Sequence, residues 1–107
     1  MPTRRERLEA MLVDDPRDAF LRYGLAVELA GEGDDQRALT LFQELMSEQP
    51  PYVAAFARAA QLLEKHHQIA DARTVLRAGI EAARRQGDTH AAGEMSEFLV
   101  ALGMRGE

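Results

Sequence analysis

Three histidines, two pairs of adjacent aspartates, one glycine–acid turn and two serines are where this chain could do chemistry. His66 and His67 are neighbours, so at a helix end their side chains diverge, and His90 would have to fold back to join them. A metal needs convergent ligands and an outer shell that orients them; a solvated turn is the simpler reading. Gly31 to Asp35, GEGDD, carries the glycines and acids of a phosphate or calcium loop. No strand precedes it, no Lys-Ser or Lys-Thr follows, and its acids lack the alternating spacing of a calcium loop. It reads as a turn between two helices, closed by an aspartate cap. Asp14-Asp15 and Asp34-Asp35 sit where a helix N-terminus favours an anion. Ser47 and Ser96 have no histidine at a spacing that could activate them. No catalytic residue, metal ligand or cofactor is expected, and the chain reads as a non-enzyme.

Such residues must be held by a scaffold, and composition bounds what it is. The chain has 107 residues, enough for one domain with a modest core. Hydrophobic residues make up 46% and charged residues 29%, a globular balance. Aromatics are only 6% and alanine is abundant, which suits helices packed closely through small side chains. A net charge of −5 argues against a nucleic-acid binder, which needs a basic footprint. Cysteine is absent, so neither a disulfide framework nor a thiolate site is possible. The opening MPTRRERLEA has no apolar segment of the signal-peptide kind, and no apolar run nears the roughly 20 residues of a membrane span. A cytoplasmic protein with no membrane partner is expected.

Periodicity then places six helices. Thr3 to Val13 has a capping box in Thr3 and Glu6 and an apolar stripe of Leu8, Met11 and Leu12. Asp15 and Pro16 should cap and open a second helix ending at Ala30, with Leu21, Leu25, Ala26 and Leu29 inward and Phe20, Tyr23 and Val27 on a neighbouring face. Asp34 or Asp35 caps a third, carrying Ala38, Leu41, Phe42, Leu45 and Met46. A fourth runs from about Pro51 to Lys65, a fifth from about Ile69 to Arg85, and a sixth from about Thr89 to Leu102, with residues 103–107 fraying. Charged residues on the outer faces of the first and last helices, Glu94, Glu97 and Arg105 among them, would make these two helices caps.

The third to fifth helices repeat the pattern that precedes them. Ala26 and Ala60, Leu29 and Leu63, Ala38 and Ala72, and Phe42 and Leu76 each stand 34 residues apart. A fixed period of this size marks stacked supersecondary units. The pattern resembles the tetratricopeptide repeat, a helix pair with small residues at set positions. Leu25, Ala26, Leu29, Gly33, Ala38, Phe42, Leu45 and Pro50 match it in one unit; Phe56, Ala59, Ala60, Leu63, Ala72, Leu76 and Gly79 match it in the next. Arg22 stands where a large apolar residue is usual, His67 replaces the turn glycine and Arg84 the closing proline. The resemblance implies an all-α fold: helix-turn-helix repeats stacked as a short right-handed superhelical solenoid of about six antiparallel helices. It divides a single domain, 1–107, into an N-terminal capping helix (3–16), repeat 1 (17–50), repeat 2 (51–86) and a C-terminal capping helix (88–102).

In this family the first helix of each pair lines a concave groove. The resemblance therefore implies a partner-binding face of Tyr23, Val27, Ala54, Ala57, Arg58, Gln61 and Lys65, to which the last helix adds Ala91 and Met95. Tyr23, Arg58 and Lys65 offer polar handles among small residues, which favours a ligand bearing carboxylates. The expected function is a non-catalytic adaptor or scaffold holding a peptide segment of another protein. The alternative is a structural module that self-associates as a weak homodimer, through apolar surface such as Phe20, Tyr23, Val100 and Met104.

Overall fold

Thr3 opens the first helix as its sequence requires. Its hydroxyl accepts from the Glu6 amide at 3.1 Å, and the Glu6 carboxylate accepts from the Thr3 amide at 2.8 Å. The Thr3 amide first, and then the Thr3 hydroxyl, hold the Glu6 carboxyl below its ordinary value. In the computed structural model, which describes residues 1–103, six helices and no strand occur among the described residues. They are α1 (Arg4–Asp14), α2 (Ala19–Gly31), α3 (Asp35–Met46), α4 (Ala54–Lys65), α5 (Ile69–Arg85) and α6 (Thr89–Gly103). Gly103 ends α6 rather than fraying, while Met104 and Arg105 lie outside the described residues.

Each helix packs chiefly on its neighbours in sequence, and the molecule measures 45 × 29 × 19 Å, so the helices form an open stack. Two linked clusters make its core. Leu8, Leu25, Ala26, Leu29, Ala38, Phe42 and Leu45 join α1, α2 and α3. Leu76, Ile80, Ala83, Met95 and Leu102 join α5 and α6. Helix α4 serves both: Ala55, Ala59 and Leu62 face the first cluster, and Phe56, Ala60 and Leu63 the second. Alanines 26, 38, 60 and 72 are wholly buried, which is what lets the axes approach. On α1, Met11 leaves the expected stripe and stands 47% exposed; Leu8 and Leu12 carry the packing.

Three helix ends close in the same way. The amides of Gly33 and Asp34 bond the carbonyls of Ala30 and Leu29 at 3.1 and 2.9 Å. Those of His67 and Gln68 bond Glu64 and Leu63, and those of Gly87 and Asp88 bond Arg84 and Ala83. This is the Schellman closure, which needs a left-handed residue at its first position after the cap. Gly33 and Gly87 supply it at φ 89° and 75°, and His67, in the glycine's place, adopts φ 64°.

Two helix starts differ from expectation. Asp15 ends α1, its amide bonding the Met11 carbonyl, and its own carbonyl accepts from Asp18. Pro16 thereby takes the second position of a turn, where its fixed φ fits. The cap of α2 is Asp18, whose carboxylate accepts from the Leu21 amide at 2.9 Å. Likewise α4 begins at Ala54 rather than Pro51, because the Tyr52 amide turns back to the Leu45 carbonyl at 3.0 Å. The Gln49–Pro50 bond is cis.

The departures from the repeat pattern have physical accounts. Arg22 is buried except for 13% of its side chain, and its guanidinium reaches Glu48 at 3.2 Å and Glu44 at 3.5 Å on the α3 side. Its stem fills the place of an apolar residue while its charge is paired. With Arg84 in place of proline, α5 runs on to Arg85 and stops only at Gly87. No described helix is long and apolar enough to cross a membrane.

Candidate protein-binding cleft

Tyr23 sits on α2 one turn after Ala19, half-buried against two rings. It meets Phe42 edge-on at 5.8 Å between centroids and Tyr52 at 5.4 Å. Packing on two sides leaves the ring few positions, so its hydroxyl is presented at a fixed place. Burial raises the Tyr52 phenol above its ordinary value, with Tyr23 and Asp18 adding to the effect, so it remains protonated at neutral pH. From the next first-of-pair helix, Arg58 Nε donates to the Tyr23 hydroxyl at 3.1 Å. That bond joins α2 to α4 between residues 35 apart in sequence.

Beside this pair lies a cleft of about 320 Å³. Ala54 and Ala57 of α4 and Ala91 of α6 give it small walls, and Met95 and Phe98 give it apolar ones. Val53 closes the end at the start of α4. Two carboxylates, Asp88 and Glu94, stand on its α6 side. Asp88 caps α6 through the Ala91 amide at 3.0 Å. Among the described residues, Glu94 pairs only with an exposed histidine, His90, at 3.4 Å. Arg58 has no carboxylate within salt-bridge distance among the described residues.

Of the residues expected at the groove, the cleft unites Tyr23, Ala54, Ala57 and Arg58 with Ala91 and Met95. Val27, Gln61 and Lys65 do not line it. Val27 is half-buried against the first core cluster, and Gln61 is exposed on α4. Lys65 is turned to α3, where its ammonium lies 2.7 Å from Asp35. The same carboxylate oxygen of Asp35 is 2.8 Å from the His66 ring. Lys65 first, then His66, holds the Asp35 carboxyl below its ordinary value. The other Asp35 oxygen is buried with no hydrogen-bond partner among the described residues. Asp34, not Asp35, caps α3.

Val53, Asp88, Glu94 and Phe98 line the cleft without being among the residues expected there. The sequence pattern alone puts Glu94 on the outer face of a cap. Its position three residues after Ala91 is the signal that places it beside the inner face. The histidines remain apart in function: His66 holds Asp35, His67 shapes a turn, and His90 faces Glu94. No group of three histidine, aspartate or glutamate side chains converges among the described residues.

Known proteins share this architecture and sequence pattern. Residues 29–95 match the family model of the tetratricopeptide repeat. A TPR repeat-containing protein of Pseudomonas aeruginosa is 32% identical over 97 residues, which span 91% of this chain and 92% of that one. The solution structure of a tetratricopeptide repeat domain protein from Salinibacter ruber superposes with a TM-score of 0.77 at 33% identity, covering 81% of this chain and 88% of its own. A protein of Bordetella parapertussis, also solved in solution, gives 0.83 at 28% identity, covering 98% of this chain and 91% of its own. With the period, the helix pairs and the family model in agreement, the chain belongs to the tetratricopeptide repeat family.

Proposed function

We propose that this protein is a non-catalytic adaptor that holds a short segment of a partner protein in the cleft between α2, α4 and α6. The family is a protein–protein interaction fold, generally without enzymatic activity. The observation that carries the finer reading is the Tyr23–Arg58 hydrogen bond beside an alanine-walled cleft. It positions one ring, one hydroxyl and one cation next to open apolar volume. About 320 Å³ is at the low end for ligand sites, so it fits a few side chains of a segment rather than a folded domain. We place this activity in the cytoplasm, as a scaffold function.

The test is capture of partners from the native cell, followed by calorimetry on the recovered segment. Arg58→Glu and Tyr23→Phe should each weaken binding while leaving the helical content intact, since the Arg58 side chain is exposed and phenylalanine keeps the ring that packs on Phe42 and Tyr52 while losing only the hydroxyl. Full affinity in both variants would place the binding surface elsewhere. A second reading, weak self-association, is favoured by Val13, Phe20 and Val100, which are 80%, 72% and 66% exposed. Light scattering over a concentration series separates it: a constant monomer mass removes the homodimer.

A further inference from the structure

Resting on that cleft as the binding site, we infer that it is bipolar and selects a segment in which an acidic and a basic side chain bracket an apolar one. The sequence alone points to a ligand carrying carboxylates, drawn by Arg58 and Lys65. The structure removes half of that attraction, because Lys65 is committed to Asp35 outside the cleft. It also adds Asp88 and Glu94 to the α6 wall, opposite in sign to Arg58.

The two walls are differently satisfied. Arg58 spends Nε on a neutral hydroxyl and keeps its charge without a carboxylate partner among the described residues. Glu94 is 69% exposed and, among the described residues, pairs only with His90, itself 85% exposed, at 3.4 Å. That contact is an ion pair only if the imidazole is protonated. A uniformly acidic segment would gain at Arg58 and be repelled at Asp88 and Glu94. A uniformly basic one would meet the reverse. A segment with one charge of each sign satisfies both walls, and its intervening apolar side chain covers Ala57, Ala91 and Phe98. Each exposed pair contributes modestly, about two- to fivefold in affinity. Selectivity therefore comes from avoiding the wrong sign as much as from the matching one.

The probes are five capped heptapeptides, glycine-flanked, with the cores Glu-Leu-Lys, Lys-Leu-Glu, Glu-Leu-Glu, Lys-Leu-Lys and Gln-Leu-Gln. Each is titrated into the full chain at low salt, and the amide signals of Ala57 and Ala91 are followed by NMR. One of the two mixed-charge cores should bind tightest, about two- to fivefold better than either uniformly charged core. Arg58→Gln should erase the advantage of its glutamate, and Glu94→Gln should reduce that of its lysine. Equal affinity of all five cores at these amides overturns the inference and leaves the cleft as the binding site. Tightest binding of Glu-Leu-Glu, unchanged in Glu94→Gln, overturns it also. If no peptide shifts these amides, the cleft reading itself fails and the inference with it. Shifts there that depend on protein concentration without peptide would make a second copy the occupant and refute both.

Discussion

At Gly79, α5 packs tightly against both α4 and α6, and replacing it with alanine tests that packing directly. In the middle of α5, a Cβ added at this position would lie 2.6 Å from Phe56 Cβ on α4, 2.8 Å from Phe56 Cγ and 2.6 Å from Met95 Sδ on α6. The thioether can swing away at small cost. Phe56 Cβ cannot, since it is fixed to the α4 backbone, so α4 and α5 must part by several tenths of an ångström or more. Alanine should gain roughly 1 kcal/mol from helix propensity and a stiffer unfolded chain. Overpacking a close-packed core costs typically ~1–3 kcal/mol, and here the contact reaches backbone-anchored carbon, towards the upper end. The difference favours net destabilisation of about 1–2 kcal/mol, or a melting temperature lower by roughly 4–12 °C for a domain of this size. Gly93 is the matched control. It sits in mid-α6, and a Cβ there would meet nothing within 4 Å, so Gly93→Ala should show the propensity gain alone and raise the melting temperature. Thermal unfolding followed by circular dichroism reads both signs in one experiment. A more stable Gly79→Ala variant would mean that the helices are not held at this separation, and the close-packing argument would be wrong.

Ala72 of α5 is wholly buried in the second core cluster, so Ala72→Leu should lower the melting temperature, at a cost of about 1–3 kcal/mol in stability; an unchanged midpoint would contradict the packing. Deleting 89–107 removes Ala92, Met95 and Leu102 from the second core cluster and uncovers Leu76 and Ile80, so the shortened chain should aggregate or unfold without cooperativity, which size-exclusion chromatography and denaturant titration detect. Asp35 has a folded-state carboxyl held below its ordinary value of 3.8, so its contribution to stability is complete above that value and is lost as pH falls through the lower folded one. Asp35→Asn should therefore flatten the loss of melting temperature below about pH 4; an acid limb identical to wild type would remove Lys65 and His66 as meaningful partners of this carboxylate.

Much of the fold was legible because its signals are local. The capping box at Thr3 and Glu6, the bounds of α5 and the start of α6 after Asp88 depend on residues a turn apart, and each stands where periodicity and caps put it. The 34-residue spacing of Ala38 and Ala72 revealed the stack, because both must be small for the same close approach. Local signals failed where two residues could do the same work. Asp15 and Asp18 are equally good caps, and only the turn around Pro16 chose the second. They failed again for long charged side chains, whose reach exceeds the spacing that a sequence pattern resolves. Lys65 turned to Asp35, Arg22 sank between α2 and two glutamates, and Glu94 came to face Arg58's cleft. The sequence by itself determined the helices, their period and the small residues between them, since each follows from backbone geometry and burial over one or two turns. Which charges remain available to a partner was decided only by tertiary structure, because pairing depends on distances between helices that no single helix encodes.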